Sequence, residues 1–245
     1  MDEACTFAGW ELQRVVARLQ FEFLDAKLPT IGQRLCPRQD LERPRFVVVE
    51  VDRLERQSLI HIMRSSEQVY TKEEEQVIED VTNKFKKLKD LDWTEIDCSD
   101  YFVKMETIFE VQSPLIIGHA STVVDANLEE CAAWELNKFS RENMKAHHDF
   151  GGLEKDTRVV NQHNQTYRVC WDFGVLGCHP REFVSSIIWR KEEGGTKMNV
   201  IYATTTHEDF TLRRDLVRGN VITHISYEGL PIKNGIGQTM VTYTT

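Results

Sequence analysis

The chain has 245 residues, 41% of them hydrophobic and 28% charged, which is material for an ordinary soluble core in one domain with an extension or in two small domains. A formal net charge of −9, without any basic stripe interleaved with aromatics, argues against a nucleic-acid partner, because phosphate recognition relies on clustered Lys and Arg. The longest apolar run, Phe46-Val47-Val48-Val49, is far too short to span a bilayer, and Met1-Asp2-Glu3-Ala4 lacks the basic and apolar regions of a secretory signal. The six cysteines are scattered with no C-x-x-C pair, which reads as buried thiols in a reducing compartment rather than as a zinc site. The expected location is therefore cytoplasmic.

Residues 1–70 read differently from the rest, as a mostly helical N-terminal extension. Trp10 to Leu28 carries apolar residues at helical spacing, and a loop rich in Pro and Arg follows, from Pro37 to Arg45. Phe46 to Val51 has the look of a short strand, and Arg53 to Met63 that of a helix. No catalytic or ligand motif stands in this region.

Thr71 to Leu91 predicts the clearest helix. Thr71 and Glu74 have capping-box spacing, acids fill the first turn, and Lys84, Lys86, Lys87 and Lys89 fill the last turns, which complements the helix dipole. Val77, Ile78, Val81, Phe85 and Leu88 make one apolar stripe, so this helix must dock on something.

From Val103 onward the pattern turns to strands. Val103 to Val111 and Leu115 to Val124 alternate around Gln112-Ser113-Pro114, and a helix from Asn127 to Leu136 follows. Asn137 to Lys155 reads as irregular and holds His147, His148 and Asp149. Strands are expected over Thr157 to Asn161, Thr166 to Phe173, Phe183 to Arg190, Met198 to Thr205, Val217 to Tyr227 and from Thr239 onward, with turn chemistry at Asn161 to Asn164 and at Glu192 to Gly195. Two strands, a helix and a run of antiparallel strands make an α+β order, in which a curved sheet closes around helices. In the strand after Gly177-Cys178-His179-Pro180 both alternating sets are bulky, with Phe183, Ile187 and Trp189 on one face and Val184 and Ile188 on the other. Such a strand needs cover on both sides.

Three segments carry a family resemblance. They are Gly118 to Ala126 with the helix through Glu130 and Ala133, then Pro180-Arg181-Glu182-Phe183-Val184 with Trp189-Arg190, and then Val217-Arg218-Gly219 preceded by Tyr202-Ala203-Thr204-Thr205. In this order they resemble the START family, the lipid-binding domains related to the steroidogenic acute regulatory protein. The resemblance covers roughly residues 71–245 and implies a helix-grip fold, like that of Bet v 1, with a bent antiparallel sheet around an apolar tunnel. Two departures matter. Sterol-binding relatives can carry a buried Arg where this chain resembles them at Ile187, so a sterol-type head-group contact is not implied. The family also continues past its last strand into a helix that lids the tunnel, whereas this sequence stops at Thr245. That implies a START-like domain that is C-terminally truncated, a fragment open to other domains of a longer protein, because an uncovered tunnel would face water.

The implied function is non-enzymatic binding of a lipid, with intermembrane transfer and transient membrane contact following from it. The sterol, phospholipid and ceramide classes stay open. Burying ~400 Å² of lipid surface contributes on the order of 10 kcal/mol gross at ~25 cal/mol/Å², before association costs. Alternation and the resemblance together nominate Trp171, Phe173, Phe183, Ile187, Trp189, Ile201, Ala203 and Ile222 as lipid-lining residues, with Arg218, His224 and Tyr227 as polar candidates. These cannot all be right, because Ile222 and His224 share one face while Val221 and Thr223 occupy the other.

No catalytic residue, cofactor or metal ligand is nominated. His147-His148-Asp149 does not space its side chains for convergence, His207-Glu208-Asp209 is not a zincin motif, and no Walker loop or nucleophile elbow is present. Two alternatives remain beside lipid binding: a regulatory or interaction module on the same fold, and a cavity enzyme.

Overall fold

The computed structural model describes residues 45–65, 67–88, 90–97, 102–109, 116–172, 174, 179–206, 210, 215–233 and 236–245. The expected helix at Trp10 to Leu28, the Gln112-Ser113-Pro114 turn, Phe173 and His207-Glu208-Asp209 lie outside the described residues. Four helices are described: α1 (Arg45–Ser65), α2 (Lys72–Lys86), α3 (Leu128–Leu136) and α4 (Arg141–Asp149). The strands are β1 (Thr94–Ile96), β2 (Val103–Phe109), β3 (Ile116–Val124), β4 (Gly152–Val159), β5 (Asn164–Trp171), β6 (Arg181–Lys191), β7 (Lys197–Thr204), β8 (Val217–Gly219), β9 (Ile222–Lys233) and β10 (Ile236–Thr244). They form one sheet in the order β1-β2-β3-β10-β9-β7-β6-β5-β4, antiparallel throughout except for short β8, which runs parallel to the start of β6.

The sheet is covered on both faces, and the alternation along each strand decides what goes where. On one face Ile187, Trp189, Val200, Ile225, Tyr227 and Val241 pack with Leu128, Ala132, Ala133 and Leu136 of α3 and with Met63 of α1. On the other, Ile188 and Ile201 meet Ile78, Val81 and Phe85 of α2. This is the helix-grip α+β fold, and it accounts for β6: its inner side chains pack beneath α3, while Ile188 packs under α2. The registers agree, since Ile188 lies opposite Ile201 and Trp189 opposite Val200.

Helix α2 is anchored by its cap. The Glu74 N–H donates to the Thr71 hydroxyl at 3.2 Å, and the Glu74 carboxylate accepts from the Thr71 N–H at 2.9 Å. The other carboxylate oxygen accepts from the amides of Asn161 and Asn164, at 2.8 and 2.7 Å, and so ties the helix start to the β4–β5 turn. Burial pushes the Glu74 carboxyl up, but the Thr71 N–H and the two amides outweigh it and hold it below its usual range. Thr71→Ala removes one cap hydrogen bond and is expected to lower stability by about 1 kcal/mol in urea denaturation.

Three local expectations change. Phe46 to Val51 is the first part of α1, not a strand: an isolated strand there has no ladder partner, whereas a helix continues the periodicity of the segment after it. That helix puts Leu59, Ile60, Ile62 and Met63 against the inner core, and its Asp52 carboxylate accepts the Arg141 N–H at 3.0 Å, at the start of α4. Asn137 to Lys155 is largely regular. It contains α4, capped by Ser140, whose hydroxyl accepts the Asn143 N–H at 3.2 Å, and then the start of β4. The stretch from Val217 to Tyr227 is two strands, divided at Asn220-Val221.

Candidate functional site: a polar-headed cavity under the helical hairpin

A cavity of about 140 Å³ lies between the α3–α4 hairpin and the inner face of the sheet. Trp171, Phe183, Val169 and Phe150 give it apolar and aromatic wall, and Ser185, Thr223 and Tyr243 supply hydroxyl-bearing wall. Glycine is required at two places just behind this wall. A Cβ on Gly152 would lie 2.2 Å from the His147 ring, and one on Gly219 would lie 2.4 Å from the Phe183 ring.

The polar groups of the cavity gather around Glu135, at the end of α3. Its carboxylate accepts the Tyr202 hydroxyl and the Lys138 ammonium. The Lys138 ammonium also lies 5.5 and 5.1 Å from the ring centres of Tyr167 and Tyr202. Burial pushes the Tyr167, Tyr202 and Tyr243 hydroxyls well above the usual tyrosine range, and the Glu135 charge adds to this. All three are hydrogen-bond donors at any physiological pH.

Two bases on the wall lack such compensation. Lys155, half-buried on β4, donates to the Asn143 carbonyl at 3.3 Å and has no carboxylate partner among the described residues. Burial and then the Lys138 charge pull its ammonium down to about 7, against the opposing pull of Glu135. His147 is 3% exposed, and both of its ring nitrogens are without a hydrogen-bond partner among the described residues. Its ring meets Trp171 edge-on at 4.7 Å between centres. Burial, then Lys155, then His148 pull it down to about 3, so the ring is neutral.

The structure distributes the nominated residues over several places. Trp171 and Phe183 are on the cavity wall. Ile187, Trp189 and Tyr227 are on the same face of the sheet but in the packed inner core, away from that wall. The Trp189 indole N–H donates to the Gln162 carbonyl at 3.0 Å. Ile201, Ala203, Ile222 and His224 are on the opposite face against α2, where the His224 ring stacks on Phe85 at 5.8 Å between centres. Their odd–even neighbours Tyr202, Val221 and Thr223 are the ones on the cavity wall. Arg218 is bound to Glu182, at 2.6 Å, and to the Phe210 carbonyl, at 2.7 Å. Phe173 is outside the described residues.

Glu135, Lys138, His147 and Lys155 were not nominated. The first two sit at and just beyond a helix end whose inward face only the fold defines. His147 belongs to a helix that no apolar stripe announces, since its inward residues include Asn143 and His147 themselves. Among the described residues no group of three or more His, Cys, Asp or Glu side chains is placed to hold a metal ion. No described helix is long and apolar enough to cross a membrane.

An antiparallel sheet with helices α3 and α4 over its inner face and a cavity between them is a helix-grip arrangement. Solved structures similar to this fold include one with a TM-score above 0.5. Human StAR-related lipid transfer protein 5 superposes with a TM-score of 0.51 at 15% identity, over 69% of this chain and 80% of that one. The lipid transfer and protein localization domain of human StarD13 gives 0.46 at 17% identity, over 72% of this chain and 82% of that one. Human STARD10 gives 0.47 at 14% identity, over 75% of this chain and 69% of that one. No family model and no curated protein sequence matches the chain.

Proposed function

We propose that this chain binds one lipid without transforming it, in the cavity between the α3–α4 hairpin and the sheet. The observation that carries the reading is the wall itself: aromatic and aliphatic side chains line a space in which polar groups gather around Glu135 and His147. That is the make-up of a site for an amphiphile, with apolar area supplying affinity and a few polar groups supplying orientation. The fold, shared with a protein named for StAR-related lipid transfer, points the same way.

The cavity of about 140 Å³ is well below the roughly 300–1,000 Å³ of ordinary ligand pockets. It takes one end of a lipid as it stands. Binding is the core of the reading. Transfer between membranes follows if the bound lipid exchanges, and a module that holds lipid without releasing it would be a sensor instead.

Native mass spectrometry of the chain, after incubation with mixed vesicles containing sterols, phospholipids, ceramides and fatty acids, is expected to show one lipid mass per chain. A folded protein that stays empty against all four classes would overturn the reading. Vesicle-to-vesicle exchange of the bound lipid then separates transfer from retention.

A further inference from the structure

Resting on that reading, we propose that the preferred ligand is a single-chain lipid ending in a carboxylate, with the acid group seated between Lys155 and His147. Four observations converge on it. Among the described residues Lys155 reaches the cavity with no carboxylate partner and donates to the Asn143 carbonyl. His147 is on the same wall, its two buried ring nitrogens have no hydrogen-bond partner among the described residues, and a neutral ring always has one N–H to donate. The Glu135 charge is already matched by Lys138 and is further occupied by the Tyr202 hydroxyl. The acids that flank Lys155 along β4 are engaged elsewhere, Glu154 with Arg168 at 2.9 Å and Asp156 with Arg158 at 3.0 Å.

Beside the neutral His147 ring and tyrosine hydroxyls, the ionisable groups facing the cavity are therefore one carboxylate and two amines, one of the amines being Lys155, so the site has room for one more negative charge when Lys155 is protonated. An incoming carboxylate supplies it and accepts a charge-assisted hydrogen bond from Lys155 together with one from the His147 N–H. A neutral head group leaves the Lys155 ammonium uncompensated. A choline-type cation would add a like charge. The small size of the cavity favours a single chain over a diacyl lipid. Proton balance follows directly: a bound carboxylate favours the charged form of Lys155, so above neutral pH the site takes up a proton from buffer as the acid binds.

Calorimetric titration with dodecanoate and with dodecan-1-ol, which share a chain and differ at the head, tests this. The acid is expected to bind about tenfold or more tightly, as one charge-assisted contact in a partly dry site allows. Lys155→Met is expected to collapse the acid-to-alcohol ratio towards unity, and His147→Phe to reduce it in part. At pH 8 the acid, and not the alcohol, is expected to show a buffer-dependent enthalpy that reports proton uptake, a readout on the unmodified protein that survives if a variant misfolds. Equal affinity for acid and alcohol, or a ratio that persists in Lys155→Met, overturns the inference and leaves lipid binding standing. If neither compound nor any vesicle lipid binds, the lipid reading itself falls with it.

Discussion

Replacing Glu182 with alanine is expected to lower stability by about 3–5 kcal/mol, read as a fall in the urea midpoint. Glu182 is fully buried at the start of β6 and bridges two arginines. Arg168 donates to one carboxylate oxygen at 2.7 Å, and Arg218 donates to the other through two nitrogens, at 3.0 and 2.6 Å. The Arg168 and Arg218 side chains are only 13% and 24% exposed, so removing the carboxylate leaves two partly desolvated guanidinium groups with reduced compensation, Arg168 keeping Glu154 and Arg218 keeping the Phe210 carbonyl. Removing one member of a buried set costs far more than the set contributes net. Substituting all three together by apolar residues of similar volume, Glu182→Leu with Arg168→Met and Arg218→Met, is therefore expected to recover most of the loss. A Glu182→Ala cost below about 1 kcal/mol would show that water reaches the triad. The triad also matters to the cavity. It fixes β8 beside β6, and Gly219 of β8 supports the ring of Phe183 on the cavity wall.

Acidification from pH 7 to pH 5 is expected to take about 2 kcal/mol of stability through His147 alone. The folded state holds this imidazole at about 3, whereas it titrates at 6.5 when unfolded. Between those values the unfolded chain binds the extra proton, so stability falls as pH drops below about 6.5 and keeps falling until the folded form also protonates, near 3. Burial is the main cause, and Lys155 and His148 add to it. Lys155 has the same sign in a higher window: with its folded value near 7 and its ordinary value at 10.5, it makes stability rise with pH across that range. His119 is lowered as well, chiefly by burial, so the measurement must be a difference. Urea denaturation of the unmodified protein and of His147→Phe, compared at pH 5 and pH 7, isolates the ring. Parallel pH slopes in the two proteins would mean that the ring is hydrated or paired when folded.

The architecture was legible in the sequence because it depends on periodicities that local residues carry. The Thr71 cap with its stripe from Val77 to Leu88 predicted a helix from Thr71 to Leu91, and the structure forms it as α2, ending at Lys86, with both halves of the capping box present. The doubly apolar β6 predicted cover on both faces, and α2 and α3 supply it. At α4 the reading failed because polar residues sat on an inward face. Asn143 and His147 broke the stripe of α4, and the amide of Asn143 turned out to donate to the Trp134 and Asn137 carbonyls, at 3.0 and 2.8 Å.

The cavity was much less legible. Along β7 and β9 both alternating sets are bulky, so period two separates Ile201 and Ala203 from Tyr202, and Ile222 and His224 from Thr223, without saying which set faces inward. That choice is made by register: Tyr202 lies opposite Ile187 and Thr223, on the side of α3, and Ile201 lies opposite Ile188 and His224, on the side of α2. By itself, then, the sequence determined most of the element types and the need for a two-sided cover, since each of these is encoded within a few neighbouring residues. Only the tertiary structure decided which face holds the cavity and that, among the described residues, Lys155 lacks a carboxylate and the His147 ring lacks a hydrogen-bond partner there. Those facts rest on contacts between segments far apart in the chain, and a buried charge shows itself as uncompensated only after every neighbour has been placed around it.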